Sequence, residues 1–231
     1  MLMEDTNFEE DYFLGNTTHF TGGYELLTRL NRWRLKKFRK IIKFYSTNPN
    51  TKERTHRTLL DVGCGFGHFL DVLKDDFKVC GTDISNFGVK ITKYKVRCPV
   101  EQGNCLEGLP FEGPFDIITA IDILEHLPNP KPALKHIFNS LSEEGYLFFE
   151  IPTINNKLSK KVYEMFFGKD KTHVFIKSVK LFEDLVMSVG FKKVALYSSL
   201  FPIFSKKDFM VHSFSAVFGV FKKGQFPQKI Y

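Results

Sequence analysis

The feature that most constrains this chain is a short apolar run, residues 58–62, that leads directly into a glycine-rich turn. Gly63, Gly65 and Gly67 occupy alternate positions of this turn. Glycine permits positive φ and lets the backbone approach a ligand closely. The G-x-G-x-G spacing is one residue shorter than the dinucleotide fingerprint G-x-G-x-x-G, and a glycine triad alone also fits a simple tight turn.

Apolar runs and helical patterns alternate along the rest of the chain. Strands are predicted at residues 58–62, 78–82, 99–102, 115–120, 146–151, 191–198 and 215–222. Helices are predicted at residues 24–45, 67–74, 85–94, 131–141 and 179–189. This alternation favours a parallel sheet with helices on both faces, which binds its ligand at the carboxyl ends of the strands.

Length and charge allow one domain with a basic segment. The chain has 231 residues and a net charge of +7, and its length fits a single domain of roughly 200–250 residues. Between residues 29 and 43 there is no acid but there are eight basic residues: Arg29, Arg32, Arg34, Lys36, Lys37, Arg39, Lys40 and Lys43. We favour the solvated face of an amphipathic helix; a patch that attracts nucleic acid, anionic lipid or an acidic substrate is the alternative.

Targeting signals and cysteine pairs are missing from the sequence pattern. No stretch approaches the ~20 apolar residues of a membrane span, and the acidic N-terminus has no apolar signal region. The four cysteines, none in a C-x-x-C pair, are Cys64, Cys80, Cys98 and Cys105. We therefore expect free thiols, no transmembrane segment and a cytoplasmic location.

Acidic side chains accompany the first two predicted strands. Asp61 lies within the first strand, and Asp83 ends the second. A carboxylate at the end of the second strand can accept both hydroxyls of a ribose. The alternative for Asp83 is a helix-capping role before Ser85, and the pattern leaves both open.

Four segments occur in an order that resembles the class I S-adenosylmethionine-dependent methyltransferases, especially their small-molecule branch. These segments are DVGCGFG at 61–67, GTDIS at 81–85, LPF at 109–111 and FDIITAIDILEHLPNP at 115–130. The resemblance implies a doubly wound, mostly parallel seven-stranded sheet, the Rossmann-like methyltransferase fold, with the last strand antiparallel beside the fifth. It also implies S-adenosyl-L-methionine as the cofactor.

The resemblance implies cofactor contacts for ten residues: Asp61, Gly63, Cys64, Gly65, Gly67, Asp83, Ile84, Asn104, Cys105 and Ala120. The glycine turn would pass under the methionine part, Asp61 would steady this turn, and Asp83 would bind the ribose. Asn104 matches the acceptor of the adenine amino group, a position that is commonly Asp in the family, and the Cys105 N–H would meet the adenine ring. The Ala120 backbone would lie against the methionine amino group.

Two histidines are the candidates for catalysis. His126 follows the fourth predicted strand directly after Glu125, and His173 lies in an Asp-x-Thr-His segment after the fifth. Histidine suits proton removal from a hydroxyl near pH 7. Each histidine has a structural alternative, in which it only holds its loop. Because Glu125 and His126 have no third ligand at metal-site spacing, we predict no metal.

These observations predict a methyltransferase that acts on a hydroxyl of a small molecule, such as a glycan, a lipid-linked or a quinone-like acceptor. The alternatives are an RNA- or protein-directed methyltransferase recruited by the basic helix, and a non-catalytic protein that binds the cofactor. Nucleic acid is not an expected partner, while peripheral membrane contact and the oligomeric state are left open. We divide the chain into a lid segment and basic helix, 1–46, with Tyr12 and Phe13 in the lid, and a catalytic domain, 47–231, packed as one unit.

Overall fold

One sheet organises the structure, a computed structural model that describes residues 23–47, 57–168, 170–200, 203–207 and 215–224. Its strands are β1 (Thr58–Val62), β2 (Lys78–Asp83), β3 (Val100–Gln102), β4 (Phe115–Ile121), β5 (Leu141–Pro152), β6 (Phe191–Leu200), β7 (Ile203–Lys207) and β8 (Ala216–Lys223). The helices are α1 (Gly23–Ser46), α2 (His68–Leu73), α3 (Asn86–Val96), α4 (Lys131–Ser140), α5 (Lys157–Phe166) and α6 (Val179–Met187), with a 3-10 turn at Leu124–His126.

The strand order is β3-β2-β1-β4-β5-β8-β6-β7. The first five strands are mutually parallel, whereas β8 runs antiparallel to both β5 and β6. The predicted doubly wound, mostly parallel sheet is therefore confirmed, as is the antiparallel last strand beside the fifth. The order reverses between β1 and β4, so the ligand crevice of such a sheet is expected at the carboxyl ends of these strands.

The apolar core lies on both faces of the sheet. Leu60 and Ile118 pack into one cluster, together with α4 and α6. Their chain neighbours Leu59 and Ile117 pack into the opposite cluster, which includes α1, α2 and α3. Successive side chains of a strand point to opposite faces, and strands covered on both faces need apolar residues at nearly every position. This burial explains the continuous apolar runs of the sequence.

Helix α1 is attached to the sheet through its apolar side. Leu35, Phe38 and Ile42 are buried, and the Phe38 ring stacks on Phe218 of β8 with 4.2 Å between centroids. The near-helical spacing of the apolar residues predicts that Trp33, Phe38 and Ile42 of this helix face the core. Phe38 and Ile42 do, whereas Trp33 is 46% exposed, so that part of the prediction is wrong. The division at residue 46 stays a prediction, and Tyr12 and Phe13 of the predicted lid lie outside the described residues.

Two elements, α5 and β7, are absent from the sequence prediction. At the start of α5 the Ser159 N–H donates to Asn156 Oδ1 and the Asn156 N–H donates to Ser159 Oγ, each over 2.9 Å. This reciprocal cap uses serine where the usual signal has Glu or Gln, so the sequence pattern does not show it.

Among the described residues, none of the helices combines the length and apolarity needed to cross a bilayer.

We predict that Phe38→Ala destabilises the protein by about 3–5 kcal/mol, because it opens a cavity between α1 and the sheet. The matched control is Phe44→Ala on the same helix, where the side chain is 74% exposed and the expected change is within about 0.5 kcal/mol. Denaturant unfolding of both variants measures the difference. Equal stabilities would contradict the packing of α1 on the sheet.

Candidate functional site

The glycine turn adopts a conformation that other residues rarely take. Gly63, Gly65 and Gly67 have φ of +74°, +50° and +71°. A Cβ added to Gly63 would lie 2.4 Å from Cδ1 of Ile123, closer than packed atoms can approach. Positive φ therefore favours glycine at all three positions, and the close approach of the segment after β4 further excludes a side chain at Gly63.

Neighbouring strands and helices hold this turn in place. The N–H groups of Gly63 and Cys64 both donate to the carbonyl oxygen of Thr82 in β2, over 2.8 and 3.0 Å. On the other side, Thr92 Oγ1 of α3 donates to the carbonyl oxygen of Gly65 over 2.7 Å. These hydrogen bonds fix the conformation of the turn without a ligand. The surface on which a ligand would lie is therefore already formed.

Asp83 connects the glycine turn to the start of α3. Its buried carboxylate accepts the Gly65 N–H at Oδ2 over 2.7 Å and the Ser85 N–H at Oδ1 over 2.9 Å. The helix cap itself is Ser85, whose side chain accepts the Gly88 N–H. The next residue after Asp83, Ile84, is 41% exposed, an apolar side chain at the carboxyl edge of the sheet.

Asp61 is buried beneath the turn. Thr119 Oγ1 of β4 donates to Asp61 Oδ1 over 2.6 Å. Burial, with a smaller contribution from the negative charge of Asp83, raises the pKa of Asp61 to about 7. Ala120 follows Thr119 in β4 and is fully buried.

The turn after β3 completes the group of predicted cofactor positions. Asn104 Oδ1 accepts the Leu106 N–H over 3.1 Å, and its Nδ2 donates to Glu107 Oε1 over 2.8 Å. Cys105 is buried, and burial raises the pKa of its thiol to about 11. The ten predicted positions therefore lie at or just after the carboxyl ends of β1, β2, β3 and β4, and their roles stay predictions.

An arginine that the sequence places only in the basic segment joins α1 to this edge of the sheet. The two terminal nitrogens of Arg34 lie 2.5 Å from Asp122 Oδ2 and from Glu150 Oε2. The Arg34 side chain is 14% exposed and that of Glu150 only 2%. Asp122, directly after β4, has a positive φ of +53°. No local pattern singles out Arg34, because its partners come from distant strands.

The two predicted histidines lie together. The carbonyl oxygen of Glu125 accepts the N–H groups of Val174 and Phe175, over 3.0 and 2.9 Å. These bonds bring the segment after α5 against the 3-10 turn. The ring centroids of His126 and His173 are then 4.9 Å apart. The spatial pairing joins segments that are far apart in the chain, and the sequence alone did not predict it.

His126 is held by the segment that contains the other histidine. Its Nδ1 lies 2.9 Å from Thr172 Oγ1 and 3.2 Å from the Thr172 carbonyl oxygen. Because the carbonyl can only accept, Nδ1 carries the proton and Nε2 has the lone pair. Burial, reinforced by the neighbouring His173, lowers the pKa of His126 to about 4, so this ring is neutral at pH 7.

His173 contacts a phenol and a carboxylate. Its Nδ1 lies 3.1 Å from the hydroxyl of Tyr163 in α5, and its Nε2 lies 3.7 Å from Asp170 Oδ2. Burial lowers the pKa of His173, against the opposing effect of the Asp170 charge. A neutral imidazole next to a carboxylate can accept a proton and be stabilised once charged.

Glu125 adds a third possible metal ligand to the histidine pair. Ligand atoms of Glu125, His126 and His173 all lie within 4.8 Å of one another. Glu125 Oε2 is buried and has no hydrogen-bond partner among the described residues. Burial, followed by the charge of Asp122, raises the pKa of this carboxyl. Glu125 and His126 have no third ligand at metal-site spacing in the sequence, but the fold brings His173 next to them. The absence of a metal stays a prediction.

Comparison with known proteins identifies the family. Residues 30–196 match the family described as "Methyltransferase domain". The mitochondrial ubiquinone biosynthesis O-methyltransferase of Saccharomyces cerevisiae is 32% identical over 134 residues, which cover 54% of this chain and 42% of that protein. The ubiquinone biosynthesis O-methyltransferase of Nitrosomonas europaea is 28% identical over 119 residues, 47% of this chain and 48% of that protein. The matches thus span about half the length of these relatives.

A solved structure supports the same fold. A protein of Thermotoga maritima described as an S-adenosylmethionine-dependent methyltransferase, possible histamine N-methyltransferase, aligns with a TM-score of 0.69. The alignment covers 93% of this chain and 100% of that one, at 20% sequence identity. At this identity the likeness concerns the fold alone.

We predict that Arg34→Gln destabilises the protein by about 3 kcal/mol, the lower end of the cost of breaking a buried ion pair. The substitution removes the cation that faces Asp122 and the buried Glu150. Lys40→Gln on the same helix is the matched control, because Lys40 is exposed and such a change is within about 0.5 kcal/mol. Thermal or denaturant unfolding that shows no difference between the two variants would refute a structural role for Arg34.

Proposed function

The chain belongs to the family of S-adenosylmethionine-dependent methyltransferases, and we propose that it methylates a hydroxyl of a small-molecule acceptor. The observation that carries this proposal is the buried, neutral imidazole of His173, which lies beside His126 at the same edge of the sheet as the glycine turn. Relatives named O-methyltransferases support transfer to oxygen. Among the expected acceptors we favour a quinone-like molecule, because those relatives are named for ubiquinone biosynthesis.

The residues at the crevice fit the cofactor. The Asp83 carboxylate accepts the N–H groups of Gly65 and Ser85 and lies at the carboxyl end of β2, where an acid can accept the two ribose hydroxyls. The exposed Ile84 side chain provides an apolar surface for the adenine ring. We propose that the glycine turn supports the methionine part, that Asp61 and the Ala120 backbone lie near its amino group, and that Asn104 and Cys105 bind the adenine edge.

The protein's task in the reaction is orientation and proton removal. The cofactor supplies an electrophilic methyl group on a sulfonium. When bound, the cofactor would transfer this methyl group to the acceptor oxygen and keep the sulfur electron pair. Holding the acceptor in line and excluding water lower the barrier. We propose that His173 takes the hydroxyl proton that is released.

We propose that Nε2 of His173 is the nitrogen that takes the proton. In our assignment Nδ1 carries the proton and donates to the phenol oxygen of Tyr163, which leaves the lone pair on Nε2. Nε2 then accepts the proton of the hydroxyl. The carboxylate of Asp170, 3.7 Å from Nε2, stabilises the imidazolium that forms. His126 is assigned to positioning, because its Nδ1 is held by Thr172.

A metal-assisted mechanism is the second candidate, favoured by the buried Oε2 of Glu125 that has no hydrogen-bond partner among the described residues. Glu125, His126 and His173 offer one carboxylate and two imidazoles, a donor set that zinc sites use. In that mechanism the ion would lower the pKa of the acceptor hydroxyl, and His173 would bind the ion instead of taking the proton. A chelator arm in the acceptor assay separates the two, since EDTA leaves the metal-free reaction unchanged and abolishes the other.

We predict that His173→Ala lowers kcat by roughly a hundredfold while the Kd of the cofactor stays unchanged, because a general base contributes about this factor. The assay uses labelled S-adenosylmethionine with a quinone-like phenol as acceptor. His126→Ala is the matched control, and its effect should be a loss of thermal stability with a smaller change in kcat. Full turnover by His173→Ala would rule out the proposed base.

The pH dependence of turnover provides a further check on the same base. Because the pKa of His173 is lowered from its ordinary value of 6.5, the imidazole is neutral above pH 6.5 and turnover is constant there. As the pH falls through the lowered pKa, protonation of His173 removes the base and turnover declines. A decline that persists unchanged in His173→Ala would assign the titrating group elsewhere.

We predict that cofactor affinity depends on the ionisation of Asp61. The free protein holds the pKa of Asp61 at about 7, and the positively charged amino group of the cofactor favours the carboxylate. Binding therefore releases a proton below pH 7, and the Kd of S-adenosylhomocysteine should rise up to about tenfold per pH unit there and stay constant above it. Calorimetry on Asp61→Asn serves as the control, in which this dependence should vanish; an unchanged pH profile would exclude Asp61.

A further inference from the structure

In the part of the chain that the structure describes, helix α1 has an outer face of mostly exposed side chains. We define it by six residues that lie on the side opposite the buried Phe38: Arg32, Trp33, Lys36, Lys37, Lys40 and Phe44. The 3.6-residue period of a helix brings these positions onto one side. The opposite side packs on the sheet, so the outer face presents a strip about three turns long.

The cations of α1 differ in whether they form ion pairs. Arg39 and Lys43 pair with Asp76, and Arg34 pairs with Asp122 and Glu150. In the part of the chain that the structure describes, Arg32, Lys36 and Lys40 form no ion pair and are exposed. These three side chains therefore give the outer face a positive charge that no acid among the described residues balances.

Two large apolar side chains lie among these cations on the outer face. Trp33 is 46% exposed and Phe44 is 74% exposed, near opposite ends of the strip. The ammonium group of Lys37 lies 3.7 Å from the centre of the Trp33 ring. A helix face with aromatic rings among lysines combines the two attractions that hold amphipathic helices at anionic bilayers, apolar burial and charge.

We propose that the outer face of α1 is a docking surface for a membrane that contains anionic lipids. The lysines would contact the phosphate groups, and the rings of Trp33 and Phe44 would enter the boundary between headgroups and acyl chains. This partner goes beyond the methyl-transfer reaction and does not depend on which acceptor is methylated.

A bilayer fits this face better than single-stranded nucleic acid. Bases stack on aromatic platforms inside a groove that follows the backbone. Here the strip is the convex side of a helix, and Lys37 covers one face of the Trp33 ring. A flat lipid surface can contact Trp33, Phe44 and the lysines at the same time. Nucleic acid is the competing occupant in the test.

Trp33 is the only tryptophan of the 231 residues, so its fluorescence reports on this face without labelling. The unmodified protein is titrated with vesicles of phosphatidylglycerol and phosphatidylcholine in equal amounts, and with pure phosphatidylcholine vesicles. We expect a blue shift with the anionic vesicles alone, and quenching when their acyl chains are brominated. No shift and no quenching with anionic vesicles would overturn the proposal.

Co-sedimentation with the same vesicles then tests the surface itself. Changing Lys36, Lys37 and Lys40 together to Gln should lower the partition coefficient on the order of a hundredfold, and Phe44→Ala should lower it roughly tenfold. The control has the same change in net charge at three exposed lysines on other elements: Lys90, Lys135 and Lys192. Equal losses in both triple variants would contradict a specific surface.

Three further readouts separate membrane docking from a loss of folding, from a loss of catalysis and from the binding of nucleic acid. Circular dichroism should show that both triple variants are folded, and turnover on a water-soluble acceptor should be unaffected, so that failure of docking is distinguishable from failure of catalysis. A single-stranded RNA at the same phosphate concentration should leave Trp33 emission unchanged. If RNA shifts the emission and vesicles do not, nucleic acid is the partner and the membrane proposal is wrong.

Discussion

The site depends on one buried carboxylate that joins three parts of the fold. Asp83 ends β2, and its two oxygens accept N–H groups from the glycine turn and from the residue that caps α3. Hydrogen bonds to a charged acceptor are stronger than those between neutral groups. Because Thr92 of α3 also bonds the turn, the turn after β1 is shaped before any ligand binds. The parallel order of β1, β2 and β4 then brings the remaining cofactor positions to the same edge.

Helix α1 connects this edge with the surface of the protein. Its apolar side packs on the sheet through Phe38, and Arg34 bonds the acids at the ends of β4 and β5. Arg32, Lys36 and Lys40 and two aromatic rings face outward. A single helix therefore contributes to the core, supports the segment that contains Glu125 and His126, and offers a docking face. Because these roles use different sides of the helix, its basic residues differ in their contacts.

Strand positions could be predicted because burial on both faces requires continuous apolar runs, as in Thr58–Val62. The sequence predicts helix α3 at residues 85–94, and Ser85 caps it in the structure. Helix α5 was not predicted, because Asn156 and Ser159 form an unusual reciprocal cap. The antiparallel direction of β8 came only from the family resemblance. The contacts of Arg34 and the pairing of His126 with His173 depend on tertiary structure, so no local pattern could show them.

The central claim is that Asp83 and the glycine turn bind S-adenosylmethionine, and calorimetric titration with S-adenosylhomocysteine tests it most directly. We predict one site per chain, no heat with NADH, and a Kd that rises on the order of tenfold to a hundredfold in Asp83→Asn, the scale of lost charge-assisted hydrogen bonds. A folded Asp83→Asn protein that binds S-adenosylhomocysteine as tightly as the unmodified chain would contradict the account.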